Sequence, residues 1–330
     1  MTFSVYSATR FRLSRSVIYA MGHQPACIEA AANSEADVVL FELEDAVPVD
    51  KKNEARSNVL QALGDLDWSK KAISVRVNAL DSPFTYQDVI SLLESPVSSK
   101  IDLLFLPKPG NAADVYAFDV MVTQVERAMG RDRPVGFDIM IESTLGLTNA
   151  AEIAQASARI ESLQFGSYDY GRSACMQIET VGGPHSGYQV GIDGQSGHLN
   201  DPFHYPLSRI IEVARAFGKR PIDGPYIADL NDYDADPTGF EASARRGRIL
   251  GSDGKQALTP AQAAIANRIH TPTADEIERS EEICSAAQAA DGSGVRSLNG
   301  KYLDEATIQT ARNTVAKAEE IPVSNTHLRA

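Results

Sequence analysis

Short runs of apolar and β-branched residues alternate along the chain with longer amphipathic stretches. This alternation is typical of βα units arranged around a parallel sheet. The candidate strands are 16–21, 37–43, 72–77, 102–107, 136–142, 162–167, 220–224 and, with a weaker pattern, 248–255. Between the strands, stretches such as 83–94 and 114–129 place their apolar residues on one helical face.

Eight strands with intervening helices in about 270 residues match the usual size of a closed (β/α)8 barrel. The rival architecture is a doubly wound open sheet with a GxGxxG phosphate turn after its first strand. The first predicted βα turn reads MGHQPAC and lacks that motif. We therefore predict an α/β fold in which residues 1–270 form a (β/α)8 TIM barrel.

Two segments depart from the barrel pattern. Residues 178–202 are rich in glycine and polar residues, which predicts a long loop after the sixth strand, and such loops are often functional or mobile. After the barrel, Thr273 and Glu276 have the spacing of a capping box, which begins a predicted helix reaching about residue 290. Residues 291–300 form a predicted joint, followed by a helix over 304–320. We expect residues 271–330 to form a helical lid.

Composition narrows the class of protein. The 330 residues carry a formal net charge of −13, which disfavours binding to nucleic acid or to an anionic membrane surface. No run of 18 apolar residues exists, so we expect no membrane span and a cytoplasmic location. The three cysteines are scattered, which favours a reducing compartment and argues against a disulfide framework or a thiolate metal site.

Charged and polar residues follow several predicted strands. In a TIM barrel the active site lies at the carboxyl ends of the strands, so these residues should meet on one face. They are Glu42, Glu44, Asp45, Arg76, Asn78, Lys108, Glu142, Asp169 and Asp223. Because unpaired buried charges are costly, so many acids beside one arginine predict a bound cation. Oxygen ligands without a His or Cys cluster indicate Mg²⁺, or else Mn²⁺.

Glu142 and Asp169 are the first candidates for metal ligands, since each comes at the end of a strand among small residues. The alternative is that either acid caps the helix that follows it. Lys108 has two interpretations, a Schiff-base nucleophile or an ion-pair partner, and the surrounding acids favour the ion pair. The six histidines are scattered along the chain, and we expect His23, His185, His198 and His204 to be surface or loop residues and not ligands.

A series of segments occurs in the order typical of a known superfamily. They are RSVIYAMG (15–22), FELEDAV (41–47), SVRVN (74–78), FLPKPGNAADV (105–115), IMIESTLGLTNAAEIA (139–154), FGSYDY (165–170), HYPLSRIIEVARAFGKRPIDGPY (204–226), GSDGK (251–255) and LNGKYLDEATIQTA (298–311). The chain resembles the citrate lyase β-subunit-like (HpcH/HpaI-type) superfamily, and within it most closely the malyl-CoA/β-methylmalyl-CoA lyases. The resemblance covers nearly the whole chain.

The resemblance implies a Mg²⁺-dependent carbon–carbon lyase that splits a malyl-, methylmalyl- or citramalyl-like CoA thioester into an acyl-CoA and a 2-oxo acid. By their positions, Glu142 and Asp169 match the metal ligands of the family. Arg76 matches the arginine that stabilises the enolate oxygen. Asp304 matches an acid that reaches the site of a neighbouring subunit and serves as the base, which implies a homo-oligomer, a trimer or a hexamer.

Four further residues match family positions. Glu44 and Asp45 match an acidic pair that helps to hold the water shell of the metal. Arg15 and Gly22 match the segment near the phosphates of coenzyme A.

The chain also departs from the family pattern in two places. Residues 22–33 contain no Lys or Arg where family members have basic residues, and the usual GKWAIHP segment is GKQALTP, with Gln256 and Thr259. Both departures concern recognition of coenzyme A or of the acyl group. They leave open an aldolase for a free hydroxy acid without CoA. Two further alternatives are a CoA thioester hydrolase on the same site and a non-catalytic binding subunit.

Overall fold

The computed structural model describes residues 12–190, 198–289, 297–298 and 301–321. Contacts between Cα atoms divide the chain into two compact units, Met1–Ala266 and Asn267–Ala330. The division falls within the helix Pro260–His270, which ends where the predicted barrel ends.

The first unit contains a closed parallel barrel, as the sequence predicted. The strands of the chain are β1 (Ser16–Met21), β2 (Val38–Glu42), β3 (Ala72–Arg76), β4 (Leu103–Leu106), β5 (Gly136–Ile141), β6 (Ile160–Phe165), β7 (Gln189–Val190), β8 (His198–Leu199), β9 (Arg220–Asp223), β10 (Gly254–Ala257), β11 (Ser297–Leu298) and β12 (Lys301–Tyr302). The barrel order is β1-β2-β3-β4-β5-β6-β9-β10, and β10 pairs with β1 to close it. β7 and β8 form a separate two-stranded hairpin.

The helices of the chain alternate with the barrel strands in the first unit and continue into the second unit. They are α1 (Pro25–Asn33), α2 (Lys52–Asp65), α3 (Thr85–Leu93), α4 (Ala112–Ala128), α5 (Thr144–Thr148), α6 (Ala150–Gln155), α7 (Ser167–Ser173), α8 (His204–Ala216), α9 (Pro237–Leu250), α10 (Pro260–His270), α11 (Ala274–Ala289) and α12 (Glu305–Glu320), with short 3₁₀ turns at Val49–Lys51 and Ser98–Lys100. None of those found in the described ranges is both long and apolar enough to cross a membrane.

Alternation along the strands divides the core into two parts. Ile18 and Phe41 belong to the large cluster packed between the strands and the helices. Their neighbours Tyr19 and Leu40 belong to a smaller cluster with Met140 from β5. Because successive side chains of a strand point to opposite faces, this second cluster fills the inside of the barrel. The same alternation directs the side chains at the strand ends toward the barrel axis.

The amino-terminal end of the barrel is closed by polar contacts. Asp138 in β5 accepts hydrogen bonds from the hydroxyls of Ser74 at 2.9 Å and Ser162 at 2.5 Å. Arg220 in β9 lies 3.8 Å from the same carboxylate and 3.2 Å from Glu161. All of these groups are buried, so their pairing stabilises the barrel far from the end where its strands finish.

Arg15 also lies at the amino-terminal end, immediately before β1. Its side chain is fully buried, and its Nε and Nη2 donate to Asp37 at 2.9 and 2.7 Å. The backbone N–H of Arg15 donates to the same carboxylate at 2.8 Å. The placement of Arg15 beside coenzyme A phosphates at the opposite end of the barrel is therefore corrected, and its role here is to join β1 to the start of β2.

Two predicted elements differ from the structure. The eighth strand was placed at 248–255, but α9 continues to Leu250 and the strand is Gly254–Ala257. Gly251 ends that helix with a φ of 110°, a left-handed conformation that glycine adopts without strain. The predicted long loop begins only after α7, and it contains the β7–β8 hairpin. Residues 191–197 of that loop lie outside the described residues.

The second unit is helical, and α11 packs against α12. Thr273 and Glu276 form the predicted capping box, with reciprocal hydrogen bonds of 2.8 and 3.2 Å. Asp304 begins α12 by accepting a hydrogen bond from the N–H of Thr307 at 2.7 Å. Ile283 and Ile308 contribute to the small apolar core of this unit.

Candidate active site

A cleft of about 640 Å³ opens at the carboxyl ends of the barrel strands. Its lining combines acids, two arginines and several aromatic and aliphatic side chains. The lining residues are Tyr19, Met21, Asp45, Ala46, Arg76, Met140, Glu142, Gly166, Tyr168, Asp169, Arg172, Pro225, Ile227, Leu230, Tyr233, Gln256 and Leu258. The structure thus brings together four of the residues that the sequence singled out, Asp45, Arg76, Glu142 and Asp169.

Glu142 follows β5 directly, and its carboxyl group is buried. Its Oε1 accepts a hydrogen bond from the backbone N–H of Lys108 at 2.9 Å. The pKa of Glu142 is raised to about 8 overall, chiefly by burial and also by the charges of Asp169 and Glu44, which Arg76 and Lys108 only partly offset. A buried carboxyl group among other acids is stabilised in its charged form by a bound cation.

Asp169 lies in the first turn of α7, half-buried at the cleft. Among the residues that the structure describes, no three His, Cys, Asp or Glu side chains are grouped to hold a metal ion. Mg²⁺ in proteins commonly takes one or two carboxylates and keeps several water or substrate ligands. Glu142 with Asp169 therefore fits Mg²⁺ better than a metal that needs a full cage of protein ligands.

Gly166, between β6 and α7, makes room for Glu142. A Cβ atom at this position would lie 2.3 Å from the Cβ of Glu142 and 2.8 Å from its Oε2. Side-chain atoms do not approach so closely, so any larger residue here must displace the Glu142 carboxyl group. This contact explains why the FGS segment at the end of the strand has glycine at position 166.

We expect Gly166→Ala to weaken Mg²⁺ binding by about tenfold or more, because the added methyl group displaces the Glu142 carboxylate. A tenfold change corresponds to a loss of about 1.4 kcal/mol of binding free energy. Isothermal titration calorimetry of the purified variant measures it. Gly64→Ala is a matched control, since its added Cβ would meet nothing closer than Val97 at 3.8 Å. Equal Mg²⁺ affinity in Gly166→Ala and the wild type would contradict the role given to this contact.

Arg76 ends β3 and points into the cleft between two acids. Its Nε donates to Glu42, and its Nη1 lies 3.4 Å from Glu44. Its guanidinium also stacks on the ring of Tyr19 with a centroid distance of 5.4 Å. Burial alone would lower the pKa of Arg76, but the charge of Glu42, with smaller contributions from Tyr19 and Glu44, raises it overall. The cleft therefore contains a permanent positive charge held in a fixed orientation.

Lys108 is confirmed as an ion-pair partner. Its Nζ contacts both Glu44 and Asp45, and the pKa of the ammonium is raised by these acids against the effect of burial. Glu44 is buried, whereas the side chain of Asp45 is 57% exposed. No free amine is therefore presented for a Schiff base, and the acidic pair is bridged by one cation.

The observation that decides the family is a match to a family model. The model described as HpcH/HpaI aldolase/citrate lyase matches residues 15–260, which include the whole barrel and the cleft. The chain belongs to the HpcH/HpaI aldolase/citrate lyase family. The family predicted from the sequence segments is thereby confirmed.

Similar proteins agree with this membership. An L-malyl-CoA/β-methylmalyl-CoA lyase of Cereibacter sphaeroides is 40% identical over 323 residues, which cover 97% of this chain and 99% of that protein. This member of the HpcH/HpaI family is accordingly an enzyme of the carbon–carbon lyase type.

Two solved structures share the fold. A citrate lyase from Burkholderia xenovorans LB400 aligns with a TM-score of 0.76 at 21% identity, covering 97% of each chain. CitE from Mycobacterium tuberculosis, in complex with magnesium, acetoacetate and coenzyme A, aligns with a TM-score of 0.68 at 21% identity over 92% of this chain and 98% of that one.

The other predicted residues of this family member lie in three places. Gly22 is buried at the end of β1, where an added Cβ would lie 2.8 Å from the carbonyl oxygen of Glu42. Gln256 lines the cleft and hydrogen-bonds Gln164 at 3.0 Å. Thr259 lies at the start of α10 and donates to Asp234 at 2.6 Å. Asp304 belongs to the second unit, so its predicted role in a neighbouring subunit stays a prediction.

Asp223 was grouped with the acids of the cleft, but the structure gives it another role. Its carboxylate accepts a hydrogen bond from the buried ammonium of Lys255 at 2.7 Å and lies 3.6 Å from Arg246. These two cations neutralise it, and it does not line the cleft. Asp223 therefore belongs to a structural ion-pair cluster.

Arg172 is a cleft residue that the sequence did not single out. It lies in α7, three residues after Asp169, and its guanidinium stacks over the ring of Tyr168 with a centroid distance of 5.9 Å. Within the described ranges it makes no ion pair with an acid. Helical spacing from Asp169 is the signal that could have identified it, because residues three apart share one face.

Proposed function

We propose that this chain is a Mg²⁺-dependent lyase that cleaves a β-hydroxyacyl-CoA of the malyl-CoA type into an acyl-CoA and a 2-oxo acid. The observation that carries the proposal is the convergence of Glu142, Asp169 and Arg76 in one cleft at the strand ends. The Cereibacter sphaeroides relative named for malyl-CoA and β-methylmalyl-CoA supports the substrate class.

In this proposal Glu142 and Asp169 hold the metal, and Mg²⁺ bound there would supply positive charge beside the substrate hydroxyl and carboxylate. Cleavage breaks the bond between the hydroxyl carbon and the carbon next to the thioester. The hydroxyl carbon becomes the carbonyl of the 2-oxo acid, and the bond electrons pass to the thioester as an enolate. Protonation of that enolate on carbon then gives the acyl-CoA.

Arg76 is proposed to stabilise the enolate oxygen. Its guanidinium is fixed by Glu42 and Glu44 before any substrate binds, so little reorganisation is needed when negative charge develops. An arginine also keeps its charge throughout the working pH range. Glu44 and Asp45 are proposed to help hold the water shell of the metal.

The base is proposed to be Asp304 of a neighbouring subunit, which accepts the hydroxyl proton. In the single chain this carboxylate caps α12 and is exposed to solvent. Its solvent-facing side can therefore accept a proton from a substrate hydroxyl. This assignment requires a homo-oligomer, a trimer or a hexamer. A monomer with full activity at high dilution would rule it out.

Arg172 supports binding of an anionic substrate group in the cleft. Arg76 is committed to two acids, whereas Arg172 has no acidic partner within the described ranges and lies at the opening. A coenzyme A thioester carries phosphate groups that such an arginine can bind. Since residues 22–33 contain no Lys or Arg, Arg172 is the cleft residue that we assign to this part of the ligand, with Gly22 at the end of β1 as the second feature.

We expect acetyl-CoA or propionyl-CoA to bind in the presence of glyoxylate and Mg²⁺, with affinity falling as salt rises because phosphate contacts are screened. Isothermal titration calorimetry at low and high salt measures this. Arg172→Gln should weaken acyl-CoA binding several-fold, about 1 kcal/mol for an exposed charge, while Arg245→Gln, on the outer helix α9, should not. No binding at millimolar acyl-CoA, together with clear binding of a free hydroxy acid, would favour the aldolase instead.

A further inference from the structure

We infer that Lys108 is a positioning residue that keeps Asp45 off the metal, so that coordination positions stay open for the substrate. This inference rests on the Mg²⁺ site of the proposed function. Asp45 lines the same cleft as Glu142 and Asp169, and its side chain is exposed, whereas Asp169 is half-buried and Glu142 is buried. Without a competing cation its carboxylate would be available to a metal bound in the cleft, whereas the neighbouring Glu44 does not line the cleft.

Lys108 holds Asp45 through its ammonium. The Nζ atom contacts the carboxylates of both Glu44 and Asp45, and the Lys108 side chain is only 33% exposed. A second contact orients the pair, because the N–H of Asp45 donates to Glu44 at 2.9 Å. The carboxylate of Asp45 is therefore committed to an internal ion pair.

The backbone of Lys108 also contacts Glu142, one of the two proposed metal ligands. Its N–H donates to Oε1 of Glu142 at 2.9 Å, which directs this carboxyl group within the site. Lys108 has a φ of 55°, a left-handed conformation that is unfavourable for a residue other than glycine. Pro107 and Pro109 restrict the backbone on both sides. Such strain persists where surrounding structure fixes it, and here it lets one residue contact both sides of the site.

The number of protein carboxylates bound to the metal determines how many coordination positions the substrate can use. Glu142 and Asp169 leave most of the six Mg²⁺ positions to water and substrate. If Asp45 became a third protein ligand, metal binding would tighten, but one position needed by the substrate would be filled. A merely structural lysine would have the opposite effect on the metal, since its loss would disorder the site and weaken binding.

The test compares Mg²⁺ affinity by isothermal titration calorimetry with steady-state kinetics. We expect Lys108→Met to bind Mg²⁺ about tenfold more tightly, because a nearby positive charge is lost and a carboxylate is released. Its kcat should fall about tenfold or more. Adding Asp45→Asn to this variant should return the affinity toward that of the wild type and restore part of the kcat, as should Lys108→Arg, which keeps the cation.

Lys51→Met is the matched control, since Lys51 pairs with Glu54 on the surface and should change neither quantity. Asp45→Asn alone gives a test that does not depend on the folding of the lysine variant. Because Asp45 acts on the metal only through its water shell, Asp45→Asn should lower Mg²⁺ affinity by less than about threefold, the effect of one screened charge.

Two results would overturn the inference. One is weaker or unchanged Mg²⁺ binding in Lys108→Met with the fold intact by circular dichroism. The other is a loss of more than about tenfold in affinity for Asp45→Asn, which by the corresponding 1.4 kcal/mol would make Asp45 a direct ligand. Failure of the proposed function is distinguishable, because the wild type itself would then bind no Mg²⁺.

Discussion

Replacing Glu142 with Gln and Asp169 with Asn is expected to abolish Mg²⁺ binding and to lower kcat by about a thousandfold, corresponding to about 4 kcal/mol of lost charge stabilisation. The two amides keep the shape of the side chains but remove both negative charges that attract the cation. The Glu142 carboxyl group is buried, so water screens its charge less than it screens a surface carboxylate. Calorimetric titration with Mg²⁺ and a steady-state assay measure the two effects.

The matched control replaces two acids of the same types outside the cleft. Glu152→Gln in α6 with Asp65→Asn in α2 removes the same charge from exposed positions. This control should bind Mg²⁺ and turn over like the wild type. If the cleft variant also retained metal binding and turnover, Glu142 and Asp169 would not be the ligands.

Loss of the Arg76 guanidinium is expected to have the second large effect. Arg76→Met should lower kcat by about a hundredfold to a thousandfold, the range for removal of one oxyanion donor. It should also destabilise the fold by about 3–5 kcal/mol, because Glu42 is buried and loses its partner. Thermal unfolding and steady-state kinetics separate the two consequences.

A second substitution distinguishes catalysis from stability. Glu42→Gln combined with Arg76→Met removes the buried unpaired charge and should restore much of the stability without restoring kcat. Arg133→Met is the control, since Arg133 is 56% exposed and pairs with Asp102 on the surface. Recovery of activity together with stability in the double variant would show that Arg76 has only a structural role.

The barrel was predictable because its strands are fully buried and are separated by helices of regular period. Seven strands lie within two residues of their predicted positions. The eighth was misplaced because Arg248, Ile249 and Leu250 resemble the start of a strand, although Gly251 ends a helix there. Apolar runs of this length do not distinguish the end of a helix from a strand.

The sequence predicted those residues of the candidate site that lie at the carboxyl ends of strands. Arg76 ends β3 and Glu142 directly follows β5, and alternation directs both toward the barrel axis. Arg15 was misassigned because its position in the family pattern gave no information on its partner, Asp37, which lies 22 positions along the chain. The contacts of Lys108 depend on its left-handed backbone conformation, which the alternation of apolar and polar residues does not predict.

The most direct test of the proposed lyase is cleavage of L-malyl-CoA by the purified protein, with acetyl-CoA and glyoxylate quantified by chromatography. The account predicts that both products form in equal amounts, that chelation stops the reaction, and that added Mg²⁺ restores it. Release of free coenzyme A and malate instead would indicate thioester hydrolysis. That result, or turnover unaffected by chelation, would contradict the assignment of a Mg²⁺-dependent carbon–carbon lyase.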